Sequence, residues 1–168
     1  MSGNTRDNLV KVIGVEVVLM NDLEDFIDLA ALSCYLENNE VFTLYNVPRE
    51  IALTIEKLNN SIKDEEFVES SENRGTIFDV LLLLTPKLKE LRRTVRKTVI
   101  NSYDVDRGTY SASLHMKVDG VTIQKNMIPS HAIFLSLLLN RPIYVTREVL
   151  EVSRKFNPLD EERLYEDE

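Results

Sequence analysis

Residues 109–145 constrain the fold more than any other part of this chain. Asp119-Gly120 lies between two β-patterned runs, Tyr110–Val118 and Val121–Ile123, and that dipeptide tolerates the positive φ angles of a two-residue hairpin turn. Pro129 then opens a helix whose body, Ala132–Leu139 (AIFLSLLL), is apolar nearly all round, so the helix has to be buried. Asn140 ends it, and Pro142–Val145 supplies a short strand. The expectation is a strand, strand, helix, strand unit with its helix inside. A chain of 168 residues that is 43% apolar can build one core of ordinary domain size around such a unit.

The remaining segments extend the same layers. Leu9–Met20 is dense in β-branched residues and reads as a strand, with Gly14 marking a bulge. Ala30–Leu36 and Val41–Tyr45 flank Glu37-Asn38-Asn39-Glu40, whose asparagines suit a left-handed turn, and form a hairpin. Asn46-Val47-Pro48-Arg49-Glu50 opens a helix that presents Ile51, Ala52, Ile55 and Leu58 at helical spacing and stops near Asn59-Asn60. Residues 61–73 are acidic, Ser-rich and aperiodic, and read as a surface loop inside the domain. A helix follows from Thr76 to about Leu91, with Pro86 kinking it or opening a second one. Val95–Tyr103 is β-like, Asp106-Arg107-Gly108 is a tight turn, and Thr146 caps a last helix to about Phe156. Strands and helices are mixed without strict alternation, which predicts an α+β domain over residues 9–156 with a mixed or largely antiparallel sheet. Residues 1–8 form a flexible N-terminus and 157–168 an acidic tail.

Charge and cysteine usage narrow the setting. With 28 acidic and 20 basic side chains the net charge is −8, which argues against a surface that traps nucleic acid everywhere and leaves room for a local basic patch. Cys34 is the only cysteine, so disulfides and cysteine zinc clusters are excluded; it reads as a small core residue in a reducing, cytoplasmic setting. Met1–Asn8 has no apolar signal core, and no apolar run approaches the roughly 18 residues of a spanning helix, so a soluble chain without a membrane partner is expected.

Three segments, in order, resemble the bifunctional nuclease (DNase/RNase) domain family over about residues 10–152. The first is Phe42–Glu50, similar to a strand ending in Gly-Pro-x-Glu; Pro48 and Glu50 match and Val47 replaces the glycine. The second, Arg74–Leu81, is similar to Arg-Pro-x-Thr-His-Asp-Leu-Leu; Arg74, Asp79 and Leu81 match, whereas Gly75, Ile77 and Phe78 replace proline, threonine and histidine. The third pairs Arg107–Ala112, similar to Asp-Gly-Thr-Phe-Tyr-Ala, with Ile128–Leu135, similar to Arg-Pro-Ser-Asp-Ala-Ile-x-Leu, followed by Arg141–Val145. There Pro129, Ser130, Ala132, Ile133 and Leu135 keep the pattern, while Ile128 replaces arginine and His131 replaces aspartate.

The resemblance implies phosphodiester hydrolysis on DNA or RNA, which needs an activated water and charge stabilisation at the phosphoryl oxygens. Glu50 and Asp79, each near a helix start, are the candidate catalytic carboxylates and would hold Mg²⁺ or Mn²⁺ between them; the alternative is that each only complements its own helix dipole. Ser130 and His131 lie in the first turn of the buried helix, where a phosphate can rest with His131 as general acid; the alternative for His131 is a capping or interface side chain. His115, in a strand between apolar residues, reads as structural. Lys87, Lys89, Arg92, Arg93 and Arg96 form the only basic run, and if the helix continues that far, Lys89, Arg92, Arg93 and Arg96 share one face. That face is either a weak, non-specific nucleic-acid contact or a solvated surface paired with acidic segments. The rival to a nuclease is a member that keeps the fold, has lost catalysis, and serves as a binding or assembly subunit. Incompletely covered apolar strands predict a homo-oligomer, most simply a dimer.

Overall fold

A computed structural model describes residues 8–19, 29–61 and 75–155. The expectations for residues 1–7, the loop at 62–73, Arg74 and the tail 157–168 fall outside the described residues. The β-branched run forms β1 (Leu9–Leu19), and the asparagine hairpin forms β2 (Leu29–Leu36) and β3 (Val41–Pro48). β1 and β2 pair antiparallel with a register shift between Val12 and Gly14, the expected bulge, which leaves Ile13 exposed. At the β2–β3 turn Asn39 adopts φ 67°, and Asp119 (φ 48°) and Gly120 (φ 80°) together make the turn of the second hairpin.

That second hairpin belongs to β4 (Val95–Asp104), β5 (Thr109–Val118) and β6 (Val121–Met127), with β7 (Ile143–Thr146) completing a seven-stranded sheet in the order β3-β2-β1-β7-β4-β5-β6. All neighbours are antiparallel except β4 and β7. The sheet curls: Phe42 of β3 meets Tyr110 of β5 edge-on, with ring centroids 5.1 Å apart, although β3 is an outermost strand and four strands (β2, β1, β7 and β4) lie between it and β5 in the sheet order.

The helices fill and cover this curl. α1 (Arg49–Ser61) buries Ile51, Ala52, Ile55 and Leu58, and its contacts are with α4 (Pro129–Leu138) and with β1, β2 and β3. α4 starts with Pro129 in its first position and buries Ala132, Ile133, Phe134 and Leu138, as its apolar circumference requires. Its one internal hydroxyl is answered by the sheet: Thr98 Oγ1 lies 2.7 Å from Ser136 Oγ and donates to the Ala132 carbonyl at 3.2 Å. α5 (Arg147–Lys155) is capped by Thr146, whose hydroxyl accepts the Val149 N–H at 3.2 Å, and packs on β4 and β7. The architecture is α+β, as expected.

The helix expected from Thr76 to about Leu91 is broken into pieces, and the condition for a shared cationic face is not met: α2 (Ile77–Leu83) is short, a 3-10 segment runs over Thr85–Glu90, and α3 (Leu91–Thr94) is a single turn before β4 begins at Val95, as its β-like residues predict. Pro86 lacks the N–H that a continuous helix needs, and the Thr85 hydroxyl takes up the Leu82 carbonyl at 2.7 Å. Val95, Thr98, Val99 and Ile100 then favour the strand, which pairs with β5 from Val95↔Met116. Arg92 and Arg93 therefore stand exposed on α3 and Arg96 exposed on β4, so the single cationic face does not form.

Candidate nucleic-acid pocket

The curl leaves an open seam where the end of β3 faces the start of β5 and the start of α4. It holds a pocket of about 950 Å³, near the upper end of the roughly 300–1,000 Å³ typical of ligand sites. Val47 and Pro48 line it from β3, Gly108, Thr109, Tyr110 and Ser111 from the β4–β5 turn and β5, and Ile128, Pro129 and Ser130 from the start of α4. The first and third sequence segments, separated by some 60 residues or more along the chain, therefore converge on one cavity. Gly108 adopts φ 64° at the turn, a left-handed conformation that a side chain at that position would strain.

At the pocket floor α4 offers one residue with two donors. Pro129 has no N–H, and the His131 and Ala132 N–H groups both donate to the Ile128 carbonyl, at 3.1 and 3.2 Å. That leaves the Ser130 N–H as the unsatisfied donor of the first turn. Ser130 is only 2% exposed and lines the pocket. An oxyanion at this position meets the N–H, the hydroxyl and the positive end of a ten-residue helix.

Residues that the sequence reasoning passed over make up the walls. Tyr103 and Tyr110 are 4.7 Å apart between centroids and tilted by 48°, and Tyr45 lines the same cavity. Burial pushes the Tyr110 phenol above its ordinary value, with the Tyr103 and Tyr45 phenols adding to the effect, so it stays neutral. Asn46 and Asn126 line the wall, the Asn126 Oδ1 accepting the Ser113 hydroxyl at 3.5 Å, and Arg154 is the one formally charged lining residue among the described residues. The Arg154 guanidinium is held by both oxygens of Glu40, at 2.6 and 2.5 Å, which raises the arginine's pKa further. The clustering signal was present in the sequence only as tyrosines scattered over β3, β4 and β5, which nothing but the curl assembles.

The predicted site residues are divided between this pocket and other places. Ser130 is in it. His131 is one residue further on, with its ring against Phe78 of α2 at 5.2 Å and 68°, and Phe78 in turn packs edge-on against Phe134 at 5.4 Å. The position where the family's pattern has histidine is thus filled by a ring that ties α2 to α4. Asp79 does not line the pocket. It closes the capping box of α2, accepting the Thr76 N–H at 2.8 Å and the Thr76 hydroxyl at 3.3 Å, and it pairs with Lys57 of α1 at 3.2 Å. Partial burial opposes its charge, but the Thr76 N–H, the Lys57 ammonium and the Thr76 hydroxyl outweigh that and hold the carboxyl below the usual carboxylate range.

Glu50 is exposed in the first turn of α1, two residues beyond the pocket-lining Pro48. Lys57, which holds Asp79, is seven residues further along the same helix, about 10 Å at 1.5 Å per residue. Asp79 thus faces an ammonium and two Thr76 donors, an environment that does not fit a divalent cation shared with Glu50. Among the described residues no group of three or more His, Cys, Asp or Glu side chains is placed to hold a metal ion.

The basic residues lie elsewhere again. Lys87 and Lys89 are in the 3-10 segment, and Arg96 is seven residues before the pocket-lining Tyr103 on β4, roughly 23 Å of strand. Arg141, which follows α4, donates to the Arg96 carbonyl at 3.2 Å, so this region adjoins the C-terminal end of α4 while the pocket adjoins its start. His115 is in β5 opposite Gln124, its imidazole held below the ordinary value by burial and by Lys97. No helix among the described residues is long and apolar enough to cross a membrane.

Compared with known proteins, the chain matches no curated protein significantly. Its match to a family is to the bifunctional nuclease domain, over residues 51–157, which takes in α1, the second and third sequence segments and most of the pocket, and begins just after Glu50. That match spans well over half of the 168 residues, and the chain belongs to the bifunctional nuclease domain family.

Proposed function

We propose that this chain binds nucleic acid at the seam pocket and does so as a member of its family that holds the strand without cutting it. The observation that carries the reading is the composition of the pocket wall: it has aromatic rings, amides and hydroxyls for recognition, and among the described residues no Asp, Glu, His or Lys for proton transfer. Ser130 supplies the seat for one phosphate. At the helix cap, where the family's pattern has arginine, Ile128 stands 60% exposed at the pocket and offers no charge to a phosphoryl group.

Hydrolysis is the second reading, favoured by one observation: Glu50 stands exposed two residues from the pocket wall. The two readings part in a single experiment. Purified chain is incubated with single- and double-stranded DNA and RNA in Mg²⁺, in Mn²⁺ and in chelator, beside Glu50→Gln and Asp79→Asn prepared identically. Binding with no cleavage in any condition supports the first reading. Cleavage that needs a divalent cation and falls a hundredfold or more in Glu50→Gln establishes the second. No binding of any nucleic acid rejects both.

A further inference from the structure

We propose that the seam pocket takes an unpaired base of a single-stranded nucleic acid, so that recognition rests on stacking more than on the phosphate backbone. The inference rests on the nucleic-acid reading above and specifies its ligand. Three observations carry it. First, Tyr45, Tyr103 and Tyr110 all line one cavity, and the Tyr103 and Tyr110 rings meet at 4.7 Å and a tilt of 48°. Phe42 packs against Tyr110 at 84° and 5.1 Å, which holds that ring in place.

Second, the cavity has the polar equipment for a base edge and little for a polyanion. Asn46 and Asn126 line it, and an amide both donates and accepts as the Watson–Crick edge of a base requires; the Asn126 Oδ1 accepts the Ser113 hydroxyl at 3.5 Å, which leaves its NH₂ as the group to offer. Arg154 is already engaged with Glu40, the mouth carries Ile128, and the exposed Arg92, Arg93 and Arg96 lie toward the other end of β4. The chain's net charge of −8 opposes any long phosphate track. Third, Ser130 at the start of α4, only 2% exposed and lining the cavity, presents to a single phosphate or ribose oxygen an N–H that no backbone carbonyl takes up among the described residues. A volume of about 950 Å³ admits a nucleotide or two and no duplex, so a paired base has to leave its stack before it can enter.

The test is fluorescence anisotropy with labelled six-nucleotide single strands of DNA and of RNA, the same strands with abasic sites, and the corresponding duplexes, each at low and moderate salt. The expected result is binding of the single strands, weakened tenfold or more by abasic sites and by duplex formation, with a log–log salt slope of about one or less. The DNA and RNA arms show which sugar the site prefers. Tyr110→Ala is expected to weaken binding about tenfold, and Tyr110→Phe, which keeps the ring and its contact with Phe42, to retain it, with thermal melts of both variants checking the fold. Abasic strands that bind as tightly as intact ones overturn the base-binding inference and leave the nucleic-acid reading standing. Duplexes that bind as tightly overturn it in the same way, and failure of every strand to bind overturns both.

Discussion

Replacing Asp79 separates a structural carboxylate from a catalytic one. Its oxygens accept the Thr76 N–H at 2.8 Å and the Thr76 hydroxyl at 3.3 Å, and pair with Lys57 at 3.2 Å. Asp79→Ala removes the capping-box acceptor, about 1 kcal/mol, and the α1–α2 ion pair, about 0.2–1 kcal/mol because Lys57 is half exposed. The expected loss is about 1–2 kcal/mol, or roughly 2–8 °C in melting temperature for a chain of this size. Asp79→Asn keeps an acceptor for the Thr76 N–H and loses the ion pair, so it should cost about half as much. Urea unfolding of wild type, both variants, Lys57→Met and the Lys57→Met/Asp79→Asn double variant measures these terms and the coupling between the pair. The sign with pH follows from a carboxyl held below its unfolded value of about 3.9. The stabilisation is complete above that value and is lost as pH falls through the lower folded pKa, so the gap between wild type and Asp79→Asn should be constant from pH 5 to 8 and close in acid. An Asp79→Asn protein as stable as wild type at pH 7, with no coupling to Lys57, refutes the structural assignment.

Other consequences are as direct. Thr98→Val strips the partner from Ser136 in a fully buried position and should cost about 1–3 kcal/mol in urea unfolding, with part of it recovered when Ser136→Ala is added; additive costs would show that the pair is not coupled. Burial pushes the Cys34 thiol up to about 12, so a thiol reagent at pH 8 should label the native protein slowly and the unfolded protein at once; equal rates would contradict the buried placement. The outer edge of β6 is unpaired among the described residues, carries exposed Val121 and Ile123, and has Lys125 as its only charge, so a second copy is expected to pair there. Light scattering should then give about twice 19.4 kDa for wild type and the monomer mass for Val121→Lys/Ile123→Lys; a wild-type monomer at micromolar concentration rejects the pairing.

The parts of the fold that were legible in the sequence are those where local chemistry leaves few choices. Asp119-Gly120 adopts the two positive φ angles its residue types permit, Pro129 occupies the first position of α4, and Thr146 caps α5. The start of β4 at Val95 was legible from its β-branched residues, but the stretch 84–94 was not, because its leucines and cations satisfy a helical period that the chain follows only in short pieces. Val95 pairs with Met116 and packs with Leu114 and Leu139, and those tertiary contacts favour the strand over an amphipathic helix.

For the site, proximity in the fold was the missing quantity. Glu50 and Asp79 resemble a pair because each opens a helix, yet Asp79 is held by Lys57, two turns along α1 from Glu50. Ser130 was legible because a helix start identifies its own donors, whereas the tyrosine wall was not, since Tyr45 and Tyr110 become neighbours only when β3 is curled against β5. The substitutions follow the same division. Phe78 replaces a histidine with a ring that joins α2 to α4 through His131 and Phe134, which exchanges a titratable group for packing. Ile128 replaces an arginine at the pocket mouth and leaves the backbone that surrounds Ser130 in place. Both changes exchange a polar side chain of the family's pattern for an apolar one, Phe78 outside the pocket lining and Ile128 within it, and on the binding reading proposed above neither position has a transition-state charge to stabilise.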